Sequence, residues 1–194
     1  MKACTNKKII IVIICFIAVV LYAVAVYRVN KNTPVVEYKT IEKGDEVTYK
    51  NYTIKVIDSK VYDLSELKKI YGIEDYEYKA PLEDEHVKCI LTHMVITKNY
   101  EWTNDMDYEY SAINGEVSTS TWSNGIEGDL FYLINSDYTA SEDKVGESYD
   151  VMVPVLALDI HYPEKMWNDL LGVPTYIVYE YNKEFGGIPR LMIN

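Results

Sequence analysis

Cysteine is scarce in this 194-residue sequence, which has only Cys4, Cys15 and Cys89. Cys4 precedes a long apolar run and Cys15 lies inside it. Cys89 is therefore alone in the remainder, no disulfide can close there, and that part must stand on its apolar core. Cys89 itself sits in an alternating apolar run and reads as buried filler, not as a reactive thiol. Histidine is as rare, with His86, His93 and His161. No HExxH, GxSxG, Walker or CxxC spacing occurs, so the usual metal-protease, hydrolase, nucleotide and redox signatures are missing. Internal repeats and low-complexity tracts are also absent.

Acidic residues are missing from one region only. Residues 1–32 carry Lys2, Lys7, Lys8, Arg28 and Lys31 and no Asp or Glu. Of the chain's 19 basic and 30 acidic side chains, 14 basic and all 30 acidic ones fall in the remaining 162 residues, a net of −16 there. Such a field repels phosphate backbones and argues against nucleic-acid binding. With 48% hydrophobic residues the chain is too apolar for general disorder.

Charge is also absent from 9–27, IIIVIICFIAVVLYAVAVY. Nineteen residues rising about 1.5 Å each reach about 28 Å, close to the hydrocarbon thickness of a bilayer. β-branched residues favour helix poorly in water, but in lipid a single segment must bond its own backbone, so a transmembrane helix is expected. Three lysines before the span against Arg28 and Lys31 after it favour a cytoplasmic N-terminus and an extracytoplasmic body. A cleaved secretory signal is the alternative, with Ala23-Val24-Ala25 as cleavage site; retention is favoured because the apolar run is long for a signal. A lipidated Cys15 is rejected, since Ile13 and Ile14 stand where small residues are needed. A core helix of a soluble protein would be shorter and interrupted by polar residues.

The domain plan is thus a basic start over 1–8, an anchor or signal over 9–27, a polar stalk over 28–46 and a β domain over 47–194. His86 to Lys98 is apolar on both alternating faces and predicts a central, doubly covered strand. Tyr52 to Tyr62 predicts a half-buried strand, and Ser65 to Gly72 a two-turn helix with Leu64, Leu67 and Tyr71 inward. Residues 73–85 read as an exposed connection. Further strands are expected over Asp107–Ile113, Glu116–Trp122, Leu130–Asn135, Tyr149–Asp159, Thr175–Tyr181 and Arg190–Ile193. Asn114-Gly115 and Asn124-Gly125 would mark reversals. Pro163 to Gly172 reads as a helical turn packing Trp167, Leu170 and Leu171 inward. Seven or eight short strands with one or two short helices make an all-β sandwich. The 19 tyrosines against three phenylalanines suit half-exposed strand positions.

The basic start and single span, Met94-Val95-Ile96-Thr97-Lys98-Asn99, and Gly146-Glu147-Ser148 entering a strand with Val153-Pro154 together resemble small exported immunoglobulin-like domains of Gram-positive bacteria. In particular the chain resembles an uncharacterised family of membrane-anchored Firmicute proteins with no assigned activity. The resemblance covers roughly Thr48 to Ile193, implies an immunoglobulin-like sandwich and carries over no catalytic residue.

His86 and His93 lie seven positions apart, so on one strand they face opposite ways about 23 Å apart and cannot share a metal. Cys89 is about 13 Å from His93 on the same reasoning. Asp105, Asp107, Glu109, Ser111 and Glu116 match the ligand spacing of a calcium loop, but Tyr110 stands where the turn needs Gly. Glu74 to Glu85 offers at most loose, unspecific calcium binding. No metal or other cofactor is therefore expected, nor a catalytic residue. The expected function is a single-span, outward-facing module, not an enzyme, that binds an unknown envelope protein or glycan through loops or a strand edge. Tyr100, Trp102, Trp122 and Trp167 are the candidate contacts. An envelope hydrolase using Asp or Glu and a calcium-dependent adhesion module are the alternatives.

Overall fold

The computed structural model describes residues 2–32, 37–79, 83–101, 115–120, 122–139, 142–180, 182–183 and 185–194, with side chains from Ile13 onward. The chain divides into two compact units, Met1–Val36 and Glu37–Asn194.

The first unit is helix α1 (Lys2–Asn32), longer at both ends than the apolar run alone suggests. From Ile13 its side chains, including Phe16, Leu21 and Tyr22, are exposed. Over Ile13–Asn32 it is long and apolar enough to cross a membrane or to serve as a signal sequence.

The second unit is mostly β. Its strands are β1 (Tyr38–Ile41), β2 (Glu46–Tyr49), β3 (Tyr52–Asp63), β4 (Val87–Lys98), β5 (Glu116–Ser118), β6 (Ser123–Gly125), β7 (Ser148–Leu158), β8 (Tyr176–Val178) and β9 (Ile188–Met192). Its helices are α2 (Leu64–Tyr71), α3 (Gly128–Ile134) and α4 (Glu164–Trp167). One sheet runs β2-β3-β4-β7, wholly antiparallel. The other runs β1-β9-β8-β5-β6, with β1 parallel to β9.

The two sheets share one core, as a β-sandwich requires. Ile54, Val56, Ile90, Met94, Ile96, Val151, Val153 and Val155 of the first sheet pack with Val117, Ile177 and Leu191 of the second. The double apolar periodicity of β4 has a structural cause. Ile90, Met94 and Ile96 face that core, while Val87, Cys89 and Leu91 face a second cluster built on Leu64 and Leu67 of α2. Burying each leucine fully is worth about 1.5–3 kcal/mol. Gly72, at φ 64, ends α2 in the left-handed conformation that a side chain would strain. Burial pushes the Cys89 thiol up to about 12, so it behaves as an apolar filler.

Some expectations fail. Leu130 to Asn135 is not a strand: Leu130 to Ile134 belongs to helix α3, and Asn135 follows as its C-cap. Glu127 and Asp129 open it, and the turn puts Leu130 and Phe131 inward, which a six-residue apolar window cannot distinguish from a strand. Asn124-Gly125 is strand β6, and the reversal lies earlier, closed by Thr119 N–H donating to the Trp122 carbonyl. Leu171 is exposed, whereas Leu170 is buried as expected. Tyr76, within the supposedly exposed connection, is buried beneath α2. Strand β1 starts inside the stretch read as stalk. The strand expected over Asp107–Ile113 lies outside the described residues, as do Asn114 and the first four calcium-loop positions.

Candidate functional site

The outer face of the five-stranded sheet is built by alternation. Val117, Ile177 and Leu191 point into the core, so their strand neighbours Glu116, Ser118, Tyr176, Val178 and Arg190 face away from it. The register places Thr40, Arg190, Val178 and Glu116 in one row across β1, β9, β8 and β5. Over this row lies a cavity of about 460 Å³, lined among others by Tyr38, Glu116, Ser118, Tyr176 and Arg190. That is within the range of small-ligand sites. Gly115 lets β5 come close: a Cβ there would lie 2.3 Å from Ile177 Cγ2.

Arg190 is the only arginine after residue 28. Its Nε donates to Thr40 Oγ1 at 2.7 Å. Its guanidinium carbon lies 4.5 Å from the Tyr176 ring centre and 5.5 Å from that of Tyr38. The plane of the fork is thereby fixed by two rings and one hydrogen bond, and among the described residues nothing occupies its terminal nitrogens. Among the described residues no carboxylate pairs with Arg190, and Glu116, in the same cavity, has no basic partner.

A second polar row lies on the outer face of the four-stranded sheet. A β-bulge at Ile57 shifts the register so that Asp58 opposes His93. His93 Nε2 lies 2.6 Å from Asp150 Oδ1, and its Nδ1 3.8 Å from Asp58 Oδ1. At the far end of β4, His86 Nδ1 lies 2.6 Å from Asp159 Oδ2. That hydrogen bond, then the carboxylate charge, raises the His86 pKa. Both histidines thus have acidic partners from other segments, which spacing along one strand cannot reveal. Among the described residues no group of three His, Cys, Asp or Glu side chains is arranged to hold a metal.

The aromatic residues singled out from sequence are distributed as follows. Trp122 and Trp167 are half-buried and joined through Tyr162, with ring centres 6.0 and 6.2 Å from it. They pack around a small cluster of Ala157, Leu170 and Val173. Lys88 Nζ lies 4.6 Å from the Trp167 ring centre and donates to the Trp167 carbonyl. Tyr100 is exposed just beyond β4, apart from these. Trp102 lies outside the described residues. The residues around Arg190 escaped sequence reading; the one available signal was a lone arginine in a strongly acidic body.

No family model matches this chain, and no match was found among curated proteins or solved structures.

Proposed function

We propose that the chain is a single-span membrane protein whose acidic, outward-facing two-sheet domain binds a component of the cell envelope, with the Arg190 cavity as its contact site. In this reading α1 is retained, its lysine-rich start is cytoplasmic, and the domain is kin to the immunoglobulin-like domains of the uncharacterised Firmicute family. Two facing sheets support that kinship. The consecutive β2-β3-β4 ladder within one sheet is where this chain departs from the constant-type immunoglobulin order.

The observation that carries the proposal is the guanidinium held between Tyr38 and Tyr176, its outer nitrogens without a partner among the described residues, over a cavity large enough for a ligand. A planar cation held in one orientation is suited to recognition. Retention of the full-length, detergent-solubilised chain on isolated envelopes tests it. Arg190→Ala should reduce retention about tenfold or more, as losing a charged contact does. Equal retention of the two chains would refute the assignment.

A further inference from the structure

The cavity holds two opposite charges that do not neutralise each other. Arg190 on β9 and Glu116 on β5 stand in one row, separated by β8, so their backbones are about 9.6 Å apart, two strand spacings. Both line the same space, and neither has an ionic partner among the described residues. Ser118, Thr119 and Ser120 line the wall on the β5 side.

Each class of ligand meets these charges differently. A neutral saccharide would strip water from both and answer neither. A phosphate would suit the fork of Arg190 but bring two negative charges against Glu116, in a body already at net −16. A simple carboxylate would satisfy Arg190 and leave Glu116 facing a like charge. A molecule bearing a carboxylate and an ammonium group a few ångströms apart answers both, and a cavity of about 460 Å³ has room for a short peptide.

We infer that the Arg190 cavity takes a zwitterionic amino-acid or short-peptide ligand, its carboxylate on the Arg190 fork and its ammonium on Glu116. This rests on the reading of the cavity as the contact site and adds the chemistry of what it contacts. The planar fork can bind the carboxylate through two parallel hydrogen bonds.

The test is calorimetry on the full chain in lipid nanodiscs, using the dipeptide alanyl-alanine, its N-acetyl derivative, its C-terminal amide, and inorganic phosphate. The free dipeptide should bind about tenfold or more tightly than either capped form, since each cap leaves one charge unpaired. In Glu116→Gln the N-acetyl cap should cease to matter, and in Arg190→Lys the amide penalty should shrink. This closed cycle ties each end of the ligand to one residue. If N-acetyl-alanyl-alanine binds the natural chain as tightly as the free dipeptide, or phosphate binds better, the zwitterion is refuted while Arg190 keeps its role. If no probe shows Arg190-dependent binding, this inference falls, and the contact-site reading is decided separately by envelope retention of the natural chain against Arg190→Ala. Matching thermal midpoints of the variants exclude misfolding as the cause.

Discussion

The side-chain amide of Asn135 closes the free edge of β7 by bonding both backbone groups of Met152. Asn135 Nδ2 donates to the Met152 carbonyl at 2.8 Å, and the Met152 N–H donates to Asn135 Oδ1 at 2.7 Å. Asn135 follows α3, and the Glu127 N–H ahead of that helix donates to the Pro154 carbonyl two residues along the same edge. This edge, which could otherwise pair with another chain, is thereby partly occupied from within. This argues against β7 as the contact edge and favours the sheet face bearing Arg190.

Asn135→Ala removes both bonds and leaves a half-buried backbone pair without partners. The expected destabilisation is about 1–3 kcal/mol, read from thermal or denaturant unfolding. Asn135→Asp keeps the acceptor for the Met152 N–H but turns the donor into an oxygen facing the Phe131 and Met152 carbonyls, so it should cost at least as much as Asn135→Ala. An unchanged unfolding midpoint in both variants would contradict the pairing.

Asp143 is buried at one end of the sandwich, where Tyr52 and Tyr138 donate to its Oδ2 at 3.0 and 2.9 Å. Lys98, also buried, donates to its carbonyl and to Glu101. Burial raises the Asp143 pKa, although the two tyrosine bonds and the charge of Lys98 pull it down. The folded state therefore holds this proton more tightly than the unfolded chain does. Its contribution should become less favourable as pH rises from the ordinary carboxylate value through the raised one. Tyr52→Phe removes one bond and should raise the Asp143 pKa further and lower stability at neutral pH by about 1–3 kcal/mol. Carboxyl titration by NMR, with a melting curve at each pH, measures both.

His86 titrates in the same sense, but its cause is a carboxylate partner and not burial. Asp159 raises its pKa in the folded state, so the pair stabilises the fold below the ordinary histidine value near 6.5 and that contribution disappears as pH rises through the raised value. Asp159→Asn should return the His86 ring titration toward about 6.5. An unchanged midpoint would show that the carboxylate is not the cause.

These relationships explain which features were legible in the sequence. β4 was readable because apolar residues on both of its faces have only one cause, cover on both sides. α2 was readable because Glu66, the two lysines and Gly72 mark its start and end. α3 was not, since Leu130 to Asn135 is too short for either period to show. The cavity was beyond sequence reading for a different reason: Thr40 and Arg190, which form its central hydrogen bond, are 150 positions apart, and parallel pairing of β1 with β9 alone brings them together. The tryptophans were conspicuous, yet Trp122 and Trp167 spend much of their surface on Tyr162 and the small cluster beneath it.

The account depends most on where the β domain resides. A chain tagged at both ends, produced in its native cells and exposed to protease without lysis, addresses this directly. The C-terminal tag should be lost and the N-terminal tag protected, with the anchor still in the membrane fraction. A C-terminal tag that survives in intact cells and disappears only after lysis would place the domain inside and contradict the account.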